Sequence, residues 1–251
     1  MRRKIIIILI TLFFIFSVII WWRTPIIGNE WSKQTLYVSL IDAWHGSSTD
    51  KKAYAMWIDD DSSEGVFIVK KISDAIGIHP CYAVIADRMK PEVADSIASW
   101  QQQGDGIVLH GYRHERWWDW DKHQIEQDIK KSYKRLEEQG FDTAKILKMI
   151  IPPHGCNTRI IRQVIQQHGC QMISGATLVN PNRHVFQLGR IAITKETDTV
   201  AMRHLLQKAY ERKGFIIFST HSSIPAIFSE KKTQQILEMA KEIGFDFNFY
   251  D

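Results

Sequence analysis

"AYAMWIDDDSSEGVFIVKKISDAIG", residues 53–77, sets an apolar run, three carboxylates and an amphipathic stretch end to end. The run AYAMWI is bulky and shows no polar alternation, the pattern of a strand buried on both faces. The stretch EGVFIVKKISDAIG has helical spacing and stops on Gly77, the residue type that most easily takes a left-handed C-cap. Strand followed by helix is a βα unit, and the chain repeats it. CYAVIA precedes PEVADSIASWQQQG, GIVLHGY precedes KHQIEQDIKKSYKRLEEQG, and ILKMII precedes NTRIIRQVIQQHG. QMISGATLV and RIAIT lead to TDTVAMRHLLQKAYERKG, FIIFST leads to SEKKTQQILEMAKEIG, and DFNFYD closes the chain. Gly104, Gly140, Gly169, Gly214 and Gly244 end helical segments as Gly77 does. About seven such units predict an α/β fold, a distorted (β/α)7-type barrel of parallel strands.

In such folds the reactive residues lie at the C-terminal ends of the strands. Asp59, Asp60 and Asp61 follow the first strand, and His110-Gly111-Tyr112-Arg113-His114 the third. Pro152-Pro153-His154-Gly155 follows the fourth, and Thr220-His221-Ser222 a late one. Taken singly these are ordinary features: aspartate and serine cap helices and fill βα turns, and histidine pairs arise by chance. Their convergence on one mouth points further. One carboxylate with two histidines suits a catalytic divalent metal and leaves positions open for water and substrate.

With those residues in place, the chain resembles the polysaccharide deacetylases, the NodB-homology carbohydrate esterases. MWIDDDS resembles their T-F-D-D-G motif, LHGYRHE their H-x-x-x-H, IPPHG their R-x-P-x-G, and FSTHS their final strand ending in His. GIHPCYAVIA resembles their second strand, and the likeness runs over residues 53–223. The HGYRH form is most like a divergent bacterial branch. The resemblance implies Asp59 as general base, Asp60, His110 and His114 as ligands of a divalent metal, usually Zn2+, and His221 as general acid. It implies that Pro153 and His154 border the substrate, with the His154 backbone N–H facing the oxyanion. Three positions depart from the pattern: Ile151 replaces the motif's Arg, Trp57 its Thr, and Asp61 its Gly. Arg190 is the candidate substitute for the Arg that supports the base, and Asp61 the candidate to share a base or ligand role. The expected activity is metal-dependent removal of acetyl groups from an N- or O-acetylated cell-surface polysaccharide. The alternatives are a non-catalytic glycan-binding module that keeps the metal, or another metallohydrolase on a βα barrel.

The flanking sequence bears on location and partners. Ile5 to Trp22 is apolar except for Thr11 and Ser17, and eighteen residues at 1.5 Å each span about 27 Å, close to a bilayer core. Arg2, Arg3 and Lys4 precede it, which predicts a single-pass anchor with a cytoplasmic N-terminus and an exported domain. A cleaved signal peptide is the rival, but the run ends in VIIWWRTP rather than at a small-residue site. The expected organisation is an anchor at 1–23, a linker and lead-in at 24–50, and the barrel domain at 51–251. The net charge of +4 resides in Arg2, Arg3, Lys4 and Arg23, leaving 28 basic against 28 acidic residues beyond them. Nucleic acid is therefore not an expected partner; oligomeric state is not legible.

ERWWDWD, residues 115–121, puts Trp117, Trp118 and Trp120 after the second motif. They are either sugar platforms over the mouth or packing beneath a loop. Cys156 and Cys170 bracket a helix about 18–20 Å long, too far for a disulfide, and Cys81 is expected in the core. His45, His79, His123, His168, His184 and His204 are expected to be structural or solvated.

Overall fold

The computed structural model describes residues 50–60, 62–175 and 179–248. The expected anchor, the linker up to residue 49, His45 and Asp61 lie outside these residues. Among the described residues no helix is long and apolar enough to cross a membrane.

The strands are β1 (Tyr54–Asp59), β2 (Cys81–Val84), β3 (Gly106–Leu109), β4 (Met149–Ile150), β5 (Gln171–Ile173), β6 (Gln187–Leu188), β7 (Ile191–Ala192) and β8 (Phe215–Thr220). The helices are α1 (Val66–Ile76), α2 (Pro91–Gln102), α3 (Lys122–Glu138), α4 (Arg159–Gln167), α5 (Thr199–Glu211) and α6 (Glu230–Ile243). Local chemistry starts them where the sequence suggests. Asp121 and Gln124 form a capping box on α3, Thr158 and Ser229 cap α4 and α6, and Asp198 accepts from Val200 and Ala201 at α5. Each satisfies N–H groups that a first turn leaves open. At the far ends the expected glycines take positive φ except Gly214; Lys213 is left-handed there instead, with φ 54°.

All strand pairings are parallel, in the order β6-β5-β4-β3-β2-β1-β8-β7. The two edge strands, β6 and β7, are separated in the chain only by Gly189 and Arg190. Three Cα steps reach at most about 11 Å, so the sheet must curl until its edges nearly meet. The seam is bridged by Asn180, which is fully buried. Its side chain accepts from Gly189 N–H at 2.7 Å and donates to Gly189 C=O at 2.9 Å, while its backbone exchanges bonds with Phe215. The fold is thus a curled parallel α/β barrel, and its distortion is this seam, where an amide side chain stands in for a ladder.

Two apolar layers follow the two faces of the strands. Met56, Ile58, Ala83, Val108, Met149, Ile151, Ile173, Leu188, Phe215 and Ile217 fill the barrel interior. Ala55, Trp57, Tyr82, Leu109, Ile150, Ile216 and Phe218 join the helices in the outer layer. Because side chains alternate along a strand, this division also sets which strand-end residues can face the mouth. The three cysteines are buried and Cys156 and Cys170 are not bridged, as the length of the helix between them predicts.

Candidate active site

The mouth lies at the C-terminal ends of β1, β3, β4 and β8, and the alternation sorts its residues. Met56 and Ile58 point inward, so Asp60 continues that face. His110 follows Val108, Arg190 follows Leu188, and His221 follows Ile217 in the same phase. Asp59 falls in the phase of Ala55 and Trp57 and belongs to the outer side.

The acidic turn is fastened on both flanks. Asp60 N–H donates to Thr220 C=O at 2.8 Å, extending the β1–β8 pairing. Ser62 Oγ donates to Ala83 C=O at 3.0 Å and accepts from Ile85 N–H at 2.9 Å, tying the turn to β2. The Asp60 carboxylate is buried among basic side chains. Arg190 Nη1 is hydrogen-bonded to Oδ2, His221 Nε2 lies 3.4 Å from Oδ2, and His110 Nε2 lies 3.7 Å from Oδ1. Burial pushes this carboxyl up, but His110, Arg190 and His221 together hold it below the ordinary carboxylate value. Oδ1 is buried without a hydrogen-bond partner, which is costly unless another group satisfies it.

His110 Nδ1 donates to the Ile151 carbonyl at 2.8 Å, and its Nε2 then carries the lone pair. The Nε2 atoms of His110 and His114 are 3.1 Å apart. Two lone pairs at that distance repel unless a proton or cation lies between them. Burial pushes His110 below its ordinary value and takes His114, flanked by His110 and His154, down to about 4. Both rings are neutral at pH 7. His114 and His154 adopt left-handed φ of 58° and 57°, an uncommon conformation for residues with a Cβ. The His154 ring braces this arrangement by donating from Nε2 to the His114 carbonyl at 3.0 Å. Gly111 has φ +82°, and a Cβ there would lie 2.8 Å from Pro153 Cγ. The second-motif loop and the Pro153–Gly155 turn therefore pack together only with glycine at 111. Tyr112 N–H donates to Asp128 at 2.9 Å, and burial lifts the Asp128 carboxyl to about 6.

The structure brings Asp60, His110, His114, His154, Arg190 and His221 to one mouth, and it corrects several expectations. Asp59 is fully buried. Oδ1 accepts from Thr220 Oγ1 at 2.7 Å and Ser222 N–H at 3.1 Å, and Oδ2 accepts from Ser222 Oγ at 2.6 Å. Both of its oxygens are thus engaged on the outer side of the strand, where the expected base role calls for a carboxylate open to the mouth. Arg190 is paired with Asp60, where it was expected to support Asp59. The His154 imidazole is engaged with the His114 carbonyl, a contact that the expected amide role did not include. Trp117 is fully buried and is no sugar platform, Trp120 is half-buried against the core, and Trp118, 46% exposed, is the most open to solvent of the three. Thr220 and Ser222 were placed at the strand end without a role and Asp128 was not singled out, because nothing in residue type links Asp59 to a serine 163 positions later. Among the described residues no group of three or more His, Cys, Asp or Glu is placed so that it could hold a metal ion. Ligands on a tetrahedral ion with bonds near 2.0–2.1 Å sit roughly 3.3–3.4 Å apart, which the 3.1 Å and 3.7 Å separations bracket.

Comparison with known proteins gives the fold its relatives. A family 4 acetyl xylan esterase from Clostridium thermocellum, in complex with cobalt, superposes with TM-score 0.58 at 14% identity, covering 77% of this chain and 86% of that one. The catalytic domain of a peptidoglycan N-acetylglucosamine deacetylase from Eubacterium rectale gives 0.54 at 12%, covering 81% and 91%. A family 4 pseudoenzyme from Bacillus anthracis gives 0.53 at 12%, covering 78% and 63%. A curated relative, the bifunctional protein HldE of Shewanella piezotolerans, is 32% identical over 69 residues, which is 28% of this chain and only 14% of that protein. Residues 46–173, just over half of the chain, match the family described as polysaccharide deacetylase. The chain belongs to the polysaccharide deacetylase family.

Proposed function

We propose that this protein removes acetyl groups from an N-acetylated polysaccharide of the cell surface, O-acetyl groups being a second substrate class, with a divalent metal, best Zn2+, held by Asp60, His110 and His114. One observation carries the reading: two neutral imidazole nitrogens 3.1 Å apart beside a buried carboxylate oxygen that has no hydrogen-bond partner. That donor set fits a borderline divalent ion. When bound, such an ion supplies Lewis acidity toward the acetyl carbonyl and toward water. The chain's own residues do the rest. His221, whose side chain is 37% exposed at the mouth, delivers a proton to the leaving nitrogen, and Asp61 is the candidate to accept water's proton. Arg190 keeps Asp60 ionised and oriented. The His154 N–H, which takes part in neither bond of its 3-10 turn, is assigned to the oxyanion, and Trp118 to stacking on a sugar ring. The apolar segment at 1–23 would tether the domain to the membrane, N-terminus inside.

The test is acetate release from N-acetylated chitooligomers, peptidoglycan and poly-N-acetylglucosamine by the zinc-loaded protein, with chelated and His110→Ala controls. Release that both controls abolish supports the reading. No release from any of them favours a glycan-binding role, which the Ile151 replacement and the pseudoenzyme of the same fold already bring into view.

A further inference from the structure

We propose that Asp59 is a positioning residue: with Ser222 and Thr220 it clamps the backbone on both sides of His221 and so aims that imidazole. The proposal rests on the reading of His221 as the proton donor to the leaving nitrogen. The clamp is built from three hydrogen bonds that enter one carboxylate from the residues immediately before and after His221. Thr220 can donate to Asp59 because its hydroxyl also accepts, from Trp57 Nε1–H at 3.0 Å. Indole nitrogen is donor-only, so the direction along Trp57, Thr220 and Asp59 is settled. Beyond the clamp, Ile224 N–H closes a turn onto the His221 carbonyl at 3.1 Å. The backbone of His221 is therefore held from both sides, while its side chain stays 37% exposed at the mouth with Nε2 3.4 Å from Asp60.

Gly65 shows how closely the clamp is packed. A Cβ there would lie 2.2 Å from Ser222 Oγ and 2.7 Å from Ser222 C and Ser223 N. The start of α1 presses directly on the serine, and Gly65 has an ordinary helical φ of −57°, so close approach is what requires glycine. A clamp also has a requirement different from that of a base: it needs acceptors, not a proton-binding site open to water. Asparagine keeps Oδ1 for Thr220 and the Ser222 N–H, and its Nδ2 can donate to Ser222 Oγ with that hydroxyl rotated.

Two substrates separate the roles in the full-length, zinc-loaded protein. An N-acetylated chitooligomer needs a proton on its leaving nitrogen as the C–N bond breaks, whereas 4-nitrophenyl acetate releases a phenolate without one. Asp59→Ala and Ser222→Ala should lower kcat on the chitooligomer, Asp59→Ala by about 10²–10³-fold, within the range of a lost acid catalyst. KM should hold, and turnover of the aryl ester should stay within about threefold. Asp59→Asn should lose no more than about tenfold on either substrate, and zinc affinity by calorimetry should hold in all three. An Asp59→Asn protein as inactive on both substrates as Asp59→Ala would overturn the clamp in favour of a base. Equal losses on both substrates in Asp59→Ala and Ser222→Ala would reduce it to general structural support. His221→Ala keeps the two readings apart. Selective loss there with unselective loss in the clamp variants sinks the clamp alone, and unselective loss in His221→Ala sinks the acid assignment beneath it. If Asp59→Ala melts below the assay temperature, the milder Ser222→Ala decides.

Discussion

Arg190→Met isolates the ion pair at the centre of the mouth. The Asp60 side chain is 2% exposed and that of Arg190 14%, so the pair is out of water and methionine roughly fills the guanidinium's volume. Removing one partner of a buried pair costs about 3–5 kcal/mol, because the remaining charge is left uncompensated. Here His110 and His221 also favour the carboxylate, which argues for the lower end, about 3 kcal/mol. At roughly 2–4 °C per kcal/mol for a domain of this size, the melting temperature should fall by about 6–12 °C. The sign with pH follows from the lowered Asp60 pKa. Its folded value is below the unfolded one, so its stabilisation is complete above the ordinary carboxylate pKa and vanishes as pH falls through the depressed one. The gap between wild type and Arg190→Met should therefore be full at pH 7 and shrink below pH 4. Circular dichroism melts of chelator-treated protein across that range measure it. A gap under 2 °C at pH 7, or one unchanged at low pH, would refute the pair as a buried, energetically coupled contact.

Three further outcomes are expected. Trp117→Ala should cost about 3–5 kcal/mol in urea unfolding, as deletion of a buried aromatic does, whereas Trp118→Ala should leave stability within about 0.5 kcal/mol and raise KM for oligosaccharides. Asp128, with its folded pKa raised from 3.8 to about 6, destabilises the fold above pH 6, and the penalty fades as pH falls toward 4. Asp128→Asn, which keeps the acceptor for Tyr112, should therefore gain on the order of 2–3 kcal/mol at pH 8 and little at pH 4 in denaturant titrations. His110→Ala or His114→Ala should weaken zinc binding in calorimetry by more than the 10–100-fold typical of outer-shell changes.

Much of the architecture was legible because it is written in local spacing. Apolar runs followed by helical periods, with glycine and aspartate at the helix ends, mark βα units before any tertiary contact is known. Motif order then placed His110, His114 and His221 at strand ends, where the structure has them. The tryptophan cluster was not legible in this way. Trp117, Trp118 and Trp120 are alike in type and adjacent in sequence, yet one is core, one packs against it and one faces solvent. Only the course of a 3-10 turn separates them. The Arg190–Asp60 pair joins residues 130 positions apart and depends on the curl that brings β6 and β7 to a shared seam.

By itself the sequence determined that parallel strands would carry acids and imidazoles to one mouth, because element type and residue chemistry are local properties. Which carboxylate of Asp59 and Asp60 faces that mouth was decided only by tertiary structure. A strand with one wet face announces its phase through polar alternation; β1 is buried on both faces, so Met56, Trp57 and Ile58 carry no mark of inside or outside. One step along the chain turns a side chain to the opposite face of the sheet. The same step takes Asp59 from the proposed chemistry to the clamp behind it, and gives Asp60 the centre of the site.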